Sequence, residues 1–250
     1  MSKILLQTAL EAGLIAAACR PESMKDILAK MTKDNITLAT FKVIAGTLLG
    51  IGLLGSTNSY LNYRASNNWT TNDTWDWSRE IVVITGGSSG FGEILVRRLA
   101  ARGIKVVSLD VNGPQSGLPD NVTFFKVDIT SRKEIHDVAI KIRRDIGEPT
   151  VLINNAGIPS MKTILAEEEG YAAKVFAVNT VAHYDLVREF LPHMVEKNHG
   201  HVVTVASAAS FTAFANNTAY AGSKAAALAF HEGLTSELKF RYDAPKVRTT

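Results

Sequence analysis

Tyr220 and Lys224 stand four residues apart in the run Tyr220-Ala-Gly-Ser-Lys224, and Ser207 closes an apolar, strand-like run thirteen residues before Tyr220. On a helix, positions i and i+4 share one face. An ammonium beside a phenol favours the phenolate and pulls its pKa below the ordinary value near ~10. A shift of ~3 units, or roughly 4 kcal/mol, would let the tyrosine give or take a proton at cellular pH. The same pair is also an ordinary helix surface contact. Its chemistry depends on what the rest of the chain places around it.

A nucleotide-binding pattern precedes the pair. Thr85-Gly-Gly-Ser-Ser-Gly-Phe-Gly92 directly follows the apolar run Ile81–Thr85 and opens a helical pattern. In that context Gly86 permits the tight turn, Gly90 lets the backbone approach a pyrophosphate, and Gly92 allows close packing of helix on strand. Ser88, Ser89 and Phe91 lie between them, where a helix N-terminus offers N–H donors and partial positive charge. Asp110 ends the second apolar run, where an acid binds both ribose hydroxyls and repels a 2′-phosphate. This favours NAD over NADP. Asp128 and Ile129 end the third run, where the acid can face an adenine. Asn155, Ala156 and Gly157 follow the fourth, behind Asn154. Ligands of open parallel sheets bind at the carboxyl ends of the strands. Thr85, Asp110, Asp128, Asn154 and Ser207 are therefore all expected to face one crevice.

The elements that must hold these residues begin at Arg79. Strand patterns at Ile81–Thr85, Lys105–Asp110, Val122–Asp128, Val151–Asn154, His201–Ser207 and from Val247 alternate with helical ones. The helices are expected over Gly90–Arg102, from a Ser131/Glu134 capping box to near Gly147, over Glu167–Lys197 with an interruption around Pro192, and over Ala219–Tyr242. Near-continuous apolar strands between helices predict an α/β fold, a Rossmann-type doubly wound parallel sheet covered on both faces. Only eleven residues, Val111–Asn121, join the second and third strands. A loop is expected there, since a helical crossover needs more chain.

Before Arg79 the composition changes. Residues 1–35 contain an apolar helical stretch, Ile4–Ala18, that imitates a signal peptide but carries Glu11. Residues 36–56 are almost wholly apolar and read as a membrane or lipid-surface anchor, as a single span, a hairpin with the first stretch, or a helix lying in the interface. Lys42 near one end can snorkel to headgroups. Residues 57–78 read as a linker whose Trp69, Trp75 and Trp77 suit a membrane–water boundary. A net charge of +3 with scattered Lys and Arg argues against nucleic acid. The single cysteine, Cys19, excludes an internal disulfide, and six dispersed His give no metal spacing. Asn68, Asn72 and Asn121 begin glycosylation tripeptides, but a cytosolic domain is expected.

In combination these motifs resemble the short-chain dehydrogenase/reductase family: TGxxxGxG at Thr85–Gly92, NNAG at Asn154–Gly157, a helical Asn179, Ser207, and YxxxK at Tyr220–Lys224. The resemblance covers residues 79–250. Phe190–Met194, Asn198–His201, Val202–Ser210 and Phe230–Leu234 are similar to the retinol and 17β-hydroxysteroid dehydrogenase branch. The resemblance implies that Tyr220 is the general acid/base and that Lys224 tunes it and holds the nicotinamide ribose. Ser207 would bind the substrate oxygen, and Asn179 would hold a relay water. It also implies a lipophilic alcohol or carbonyl substrate of retinoid, steroid or fatty-alcohol type. The implied location is an endoplasmic reticulum or lipid-droplet surface facing the cytosol, with a homodimer through the long helices as the assembly to test. The family's Pro-Gly turn, substrate loop and seventh strand are absent after Thr250, so the domain is expected to be incomplete. A non-catalytic nucleotide-binding or lipid-surface scaffold is the alternative.

Overall fold

The structure, a computed structural model, describes residues 38–66, 69–70 and 75–250. The stretch expected at residues 1–35 lies outside the described residues, as do Asn68 and Asn72. The chain divides into two units, one up to Trp69 and one spanning Thr70–Thr250.

In the first unit, α1 (Leu38–Ser66) is a 29-residue helix. It runs ten residues past position 56, into the expected linker. Val43, Leu48, Ile51, Leu53 and Leu54 are exposed. Among the described residues no helix is long and apolar enough to cross a membrane. The uncharged run from Val43 to Gly55 would cover only about 20 Å of a ~30 Å hydrocarbon layer.

The second unit is built on one six-stranded sheet: β1 (Ile81–Thr85), β2 (Lys105–Asp110), β3 (Val122–Lys126), β4 (Val151–Asn154), β5 (Gly200–Thr204) and β6 (Val247–Thr249). The order is β3-β2-β1-β4-β5-β6, and every pairing is parallel. Strand order reverses between β1 and β4, which opens a crevice at their carboxyl ends. Successive residues point to opposite faces. Val83, Val107, Leu152 and Val202 meet one helical layer, and Val82, Ile84, Val106 and Ile153 meet the other. The first layer contains α3 (Arg132–Asp145), α5 (Ala182–Lys197) and α6 (Thr218–Phe240); the second contains α2 (Gly90–Ala100). Both faces are covered, so the strands are apolar on both sides.

Several details differ from expectation. The long helix begins at Tyr171 and breaks at Ala177–Val181, a π-helical turn between α4 (Tyr171–Phe176) and α5. Pro192 lies inside α5 without ending it. A proline there removes its own N–H bond to the carbonyl four residues back and crowds that carbonyl with its ring. Ser131 caps α3 by accepting from the Glu134 N–H at 3.3 Å, but the Glu134 carboxylate accepts from Asp128 N–H at 2.8 Å instead of closing the box. The β2–β3 link contains no helix, as expected. Asn121 at its end donates Nδ2 to the carbonyls of Ile104 (2.7 Å) and Ala100 (3.0 Å), so its amide nitrogen is engaged within the fold.

The end of the sheet opposite the crevice is closed. Trp75 lies over the His199 ring at 4.7 Å and packs on the core. It is thus a half-buried contact within the domain. His199 Nε2 lies 3.1 Å from Glu80 Oε1, and Glu80 is 3% exposed. Asn198, in the left-handed conformation (φ 45°), accepts from Lys246 N–H at 2.9 Å.

Candidate active site

The turn after β1 depends on missing side chains. Gly86 (φ +68°) and Gly90 (φ +54°) hold a conformation that disfavours L side chains. A Cβ on Gly86 would lie 2.9 Å from Ala156 Cα. On Gly92 it would overlap the Gly86 carbonyl and lie 2.7 Å from Asn155 Nδ2. Gly87, given no role by the sequence reading, is equally constrained, because a Cβ there would overlap the Ser108 hydroxyl. Asn155 fastens the turn from the neighbouring strand, donating Nδ2 to the carbonyls of Thr85 (2.9 Å) and Gly86 (3.3 Å). Thr85 Oγ1 accepts from the N–H groups of Asn155 (3.1 Å) and Ala156 (3.0 Å).

A cavity of about 530 Å³ opens beside this turn. Of the residues the sequence assigned to the cofactor, Gly86, Ser89, Gly90, Phe91, Gly92, Asp110, Asp128, Ile129, Asn155, Ala156 and Gly157 line it, while Tyr220 and Lys224 are not among its lining residues. Ser88 does not; its side chain is buried, and its N–H donates to Asp110 Oδ2 at 3.0 Å. Asp110 Oδ1 accepts from Asn112 N–H, also at 3.0 Å. The carboxylate is thus held by backbone at the cavity wall. Thr85 and Asn154 are 1% exposed, so they lie behind the crevice and do not face it. Their strand parity points them into the helical layer of Val83 and Leu152. Lys174 and Thr130 line the cavity and were missed, since both sit outside the strand-end motifs.

Nearby, α6 packs against a 3₁₀ turn, Ala208–Ser210. Ser207 caps that turn, its Oγ accepting from Ala209 N–H at 3.1 Å. The hydroxyl proton remains to be donated. Asn179 is fully buried in the π-helical turn. Its Oδ1 accepts from Ile158 N–H (2.8 Å), and its Nδ2 donates to Ile158 O and Ser223 Oγ (both 3.0 Å). Ser223 Oγ in turn donates to Tyr220 O at 2.7 Å, and Thr180 Oγ1 donates to Ser223 O at 2.8 Å. Ser223 is therefore the joint between the two helices. It lay in plain view inside the Tyr220–Lys224 run, but spacing alone gives it no partner.

Lys224 is 3% exposed, and burial pushes its ammonium below the usual lysine range. Its Nζ donates to Val205 O at 2.6 Å and lies 5.9 Å from the centroid of the half-buried Tyr220 ring. A Cβ on Gly157 would be 3.6 Å from Nζ and 3.4 Å from Asn179 Oδ1. Asn179, Lys224 and the loop that lines the cavity thus converge. The glycine turn, the helix N-terminus and the fixed acid fit a dinucleotide.

Residues 80–242 match the family model described as short chain dehydrogenase. The chain belongs to the short-chain dehydrogenase family. As such it is an oxidoreductase of CH–OH groups with a nicotinamide dinucleotide as acceptor. Dehydrogenase RED2 of Cochliobolus heterostrophus is 42% identical over 253 residues, covering 100% of this chain and 94% of that protein. Estradiol 17-beta-dehydrogenase 11 of Homo sapiens is 38% identical over 167 residues, 64% of this chain and 56% of that one. The short-chain dehydrogenase thus spans about half the length of that relative. Among solved structures, a short-chain dehydrogenase from Streptomyces avermitilis is 26% identical with a TM-score of 0.61, covering 68% of this chain and 63% of that chain. A 4-hydroxyisoleucine dehydrogenase complexed with NADH is also 26% identical, with a TM-score of 0.59 over 68% and 72% of the two chains.

Proposed function

We propose that this short-chain dehydrogenase interconverts a lipophilic alcohol of retinoid, steroid or fatty-alcohol class and its carbonyl, with NAD preferred over NADP. The supporting observation is the lock from Asn179 through Ser223 to the Tyr220 backbone, together with the approach of Lys224 Nζ to Gly157, which lines the cavity. A bound nicotinamide supplies or takes the hydride. Tyr220 passes the hydroxyl proton, Ser207 donates to the substrate oxygen, and Lys224 places positive charge beside the phenol. Asp110 supports NAD, since its carboxylate would meet a 2′-phosphate with like charge. Leu165, Met161, Phe211 and Phe214 follow β4 and β5 and are 98%, 80%, 80% and 62% exposed, an apolar rim suited to such a substrate.

Substituting Tyr220→Phe tests the assignment. Turnover of retinol or a steroid alcohol should fall by about 10²- to 10⁴-fold, with NAD affinity retained. Unchanged turnover would sink it, and NAD binding without any turnover by the unmodified chain would favour the scaffold reading. The apolar surface of α1 supports docking on an endoplasmic reticulum or lipid-droplet surface from the cytosolic side, which vesicle flotation checks. Pairing of two copies through α5 and α6 belongs to the same proposal, with sedimentation as its test.

A further inference from the structure

Under the proposed proton-transfer site lies a group of buried polar atoms that it does not use. Asn154 and Thr204 are register partners at the carboxyl ends of β4 and β5. Strand alternation turns both toward the layer of Leu152 and Val202, where α5 and α6 pack. His183 enters that layer from α5, one turn beyond Asn179, with its ring 5.6 Å from that of Phe230 in α6. Asn154 and His183 are each 1% exposed, and Thr204 is 8% exposed. Asn154 Nδ2 and Oδ1, Thr204 Oγ1 and His183 Nδ1 are all buried without a protein partner among the described residues.

Lys224 ties this group to the site. Its Nζ donates to Val205 O, and Val205 N–H donates to Asn154 O at 3.0 Å. The ammonium thus sits one peptide unit from Thr204 and Asn154. Its charge also acts on His183. Burial first, and Lys224 second, push the His183 imidazole down to about 4, so it is neutral at cellular pH. A neutral imidazole keeps one nitrogen as donor and one as acceptor.

A buried polar atom left unpaired forfeits its whole hydration, so such atoms are seldom unpaired in groups. Internal water fits best where it meets two to four polar partners. We propose that His183, Asn154 and Thr204 form a binding site for ordered water beneath Lys224, and that His183 is a positioning residue that fixes the Lys224 ammonium through this water. The kinetic consequence rests on the role given to Lys224 above; the water site does not.

One arm of the test needs no turnover. A crystal structure of the 250-residue chain should show a water within hydrogen-bond distance of His183 Nδ1 and of Thr204 Oγ1 or the Asn154 amide. A dry site overturns the proposal. The second arm is kinetic. His183→Phe should lower kcat about tenfold, the equivalent of one hydrogen bond, and move the acid limb of its pH profile. His183→Gln should restore both. Thr204→Val, nearly isosteric, should act in the same direction if the phenylalanine variant does not fold. Wild-type kcat and pH profile in folded variants would overturn the positioning role, as would lost thermal stability with an unmoved profile. If the unmodified chain shows no turnover, the enzyme reading fails while crystallography still decides the water site.

Discussion

The two ends of the sheet are built from similar residues toward opposite results. At the amino-terminal end, polar groups answer one another: His199 meets Glu80, Asn198 meets Lys246, and Trp75 covers the imidazole. At the carboxyl end, Asp110 is held by backbone N–H groups but lies at the wall of an open cavity, and Lys224 is buried against a single carbonyl. The first end spends its polar groups on closure. The second fixes them in place and leaves bonding capacity over, which is what a site needs.

The contrast can be broken by substitution. The largest effect is expected at the glycine turn. Gly92→Ala places a methyl group against the Gly86 carbonyl and should abolish NAD binding by calorimetry. Next comes acid. His183 takes up its proton at about 6.5 when unfolded but near 4 when folded, so the unfolded chain binds more protons between these values. Its contribution, about 3 kcal/mol, is present above pH 6.5 and is lost as pH falls toward 4. Denaturant titrations at stepped pH should show the decline, and His183→Gln should flatten it. At the closed end, Trp75→Ala should cost about 2 kcal/mol of stability while NAD binding survives. A variant that loses NAD binding as well would show that the two ends are not independent. Asp110→Asn is the mildest, expected to reduce the preference for NAD over NADP about tenfold, or ~1.4 kcal/mol, without changing the melting temperature.

The sheet, the absent helix between β2 and β3, and the residues around the cavity were legible because each leaves a local mark. Apolar runs make strands, and glycines mark a turn that tolerates no side chain. The direction of a strand-end side chain leaves none. With both faces of the sheet covered by helices, hydrophobic alternation disappears, so nothing in the sequence shows that Asp110 turns to the cavity while Asn154 turns inward. Ser223 and Gly87 were hidden for a related reason. Their constraints come from the Asn179 amide and the Ser108 hydroxyl, far along the chain. Pro192 misled because the lost bond and the crowded carbonyl that it costs a helix are outweighed by the packing of α5.

The π-helical turn at Ala177–Val181 carries a consequence for the reading frame of the helix itself. One surplus residue there sets the stretch before it about 100° out of phase with the stretch after it. Deleting a single residue from this turn would give a smoother α-helix with more regular backbone bonds. It would also swing either Asn179 or the apolar face of α5 away from its partners. The most regular version of this helix is thus predicted to be a dead one, and an insertion that looks like an irregularity keeps the two halves in step with different neighbours.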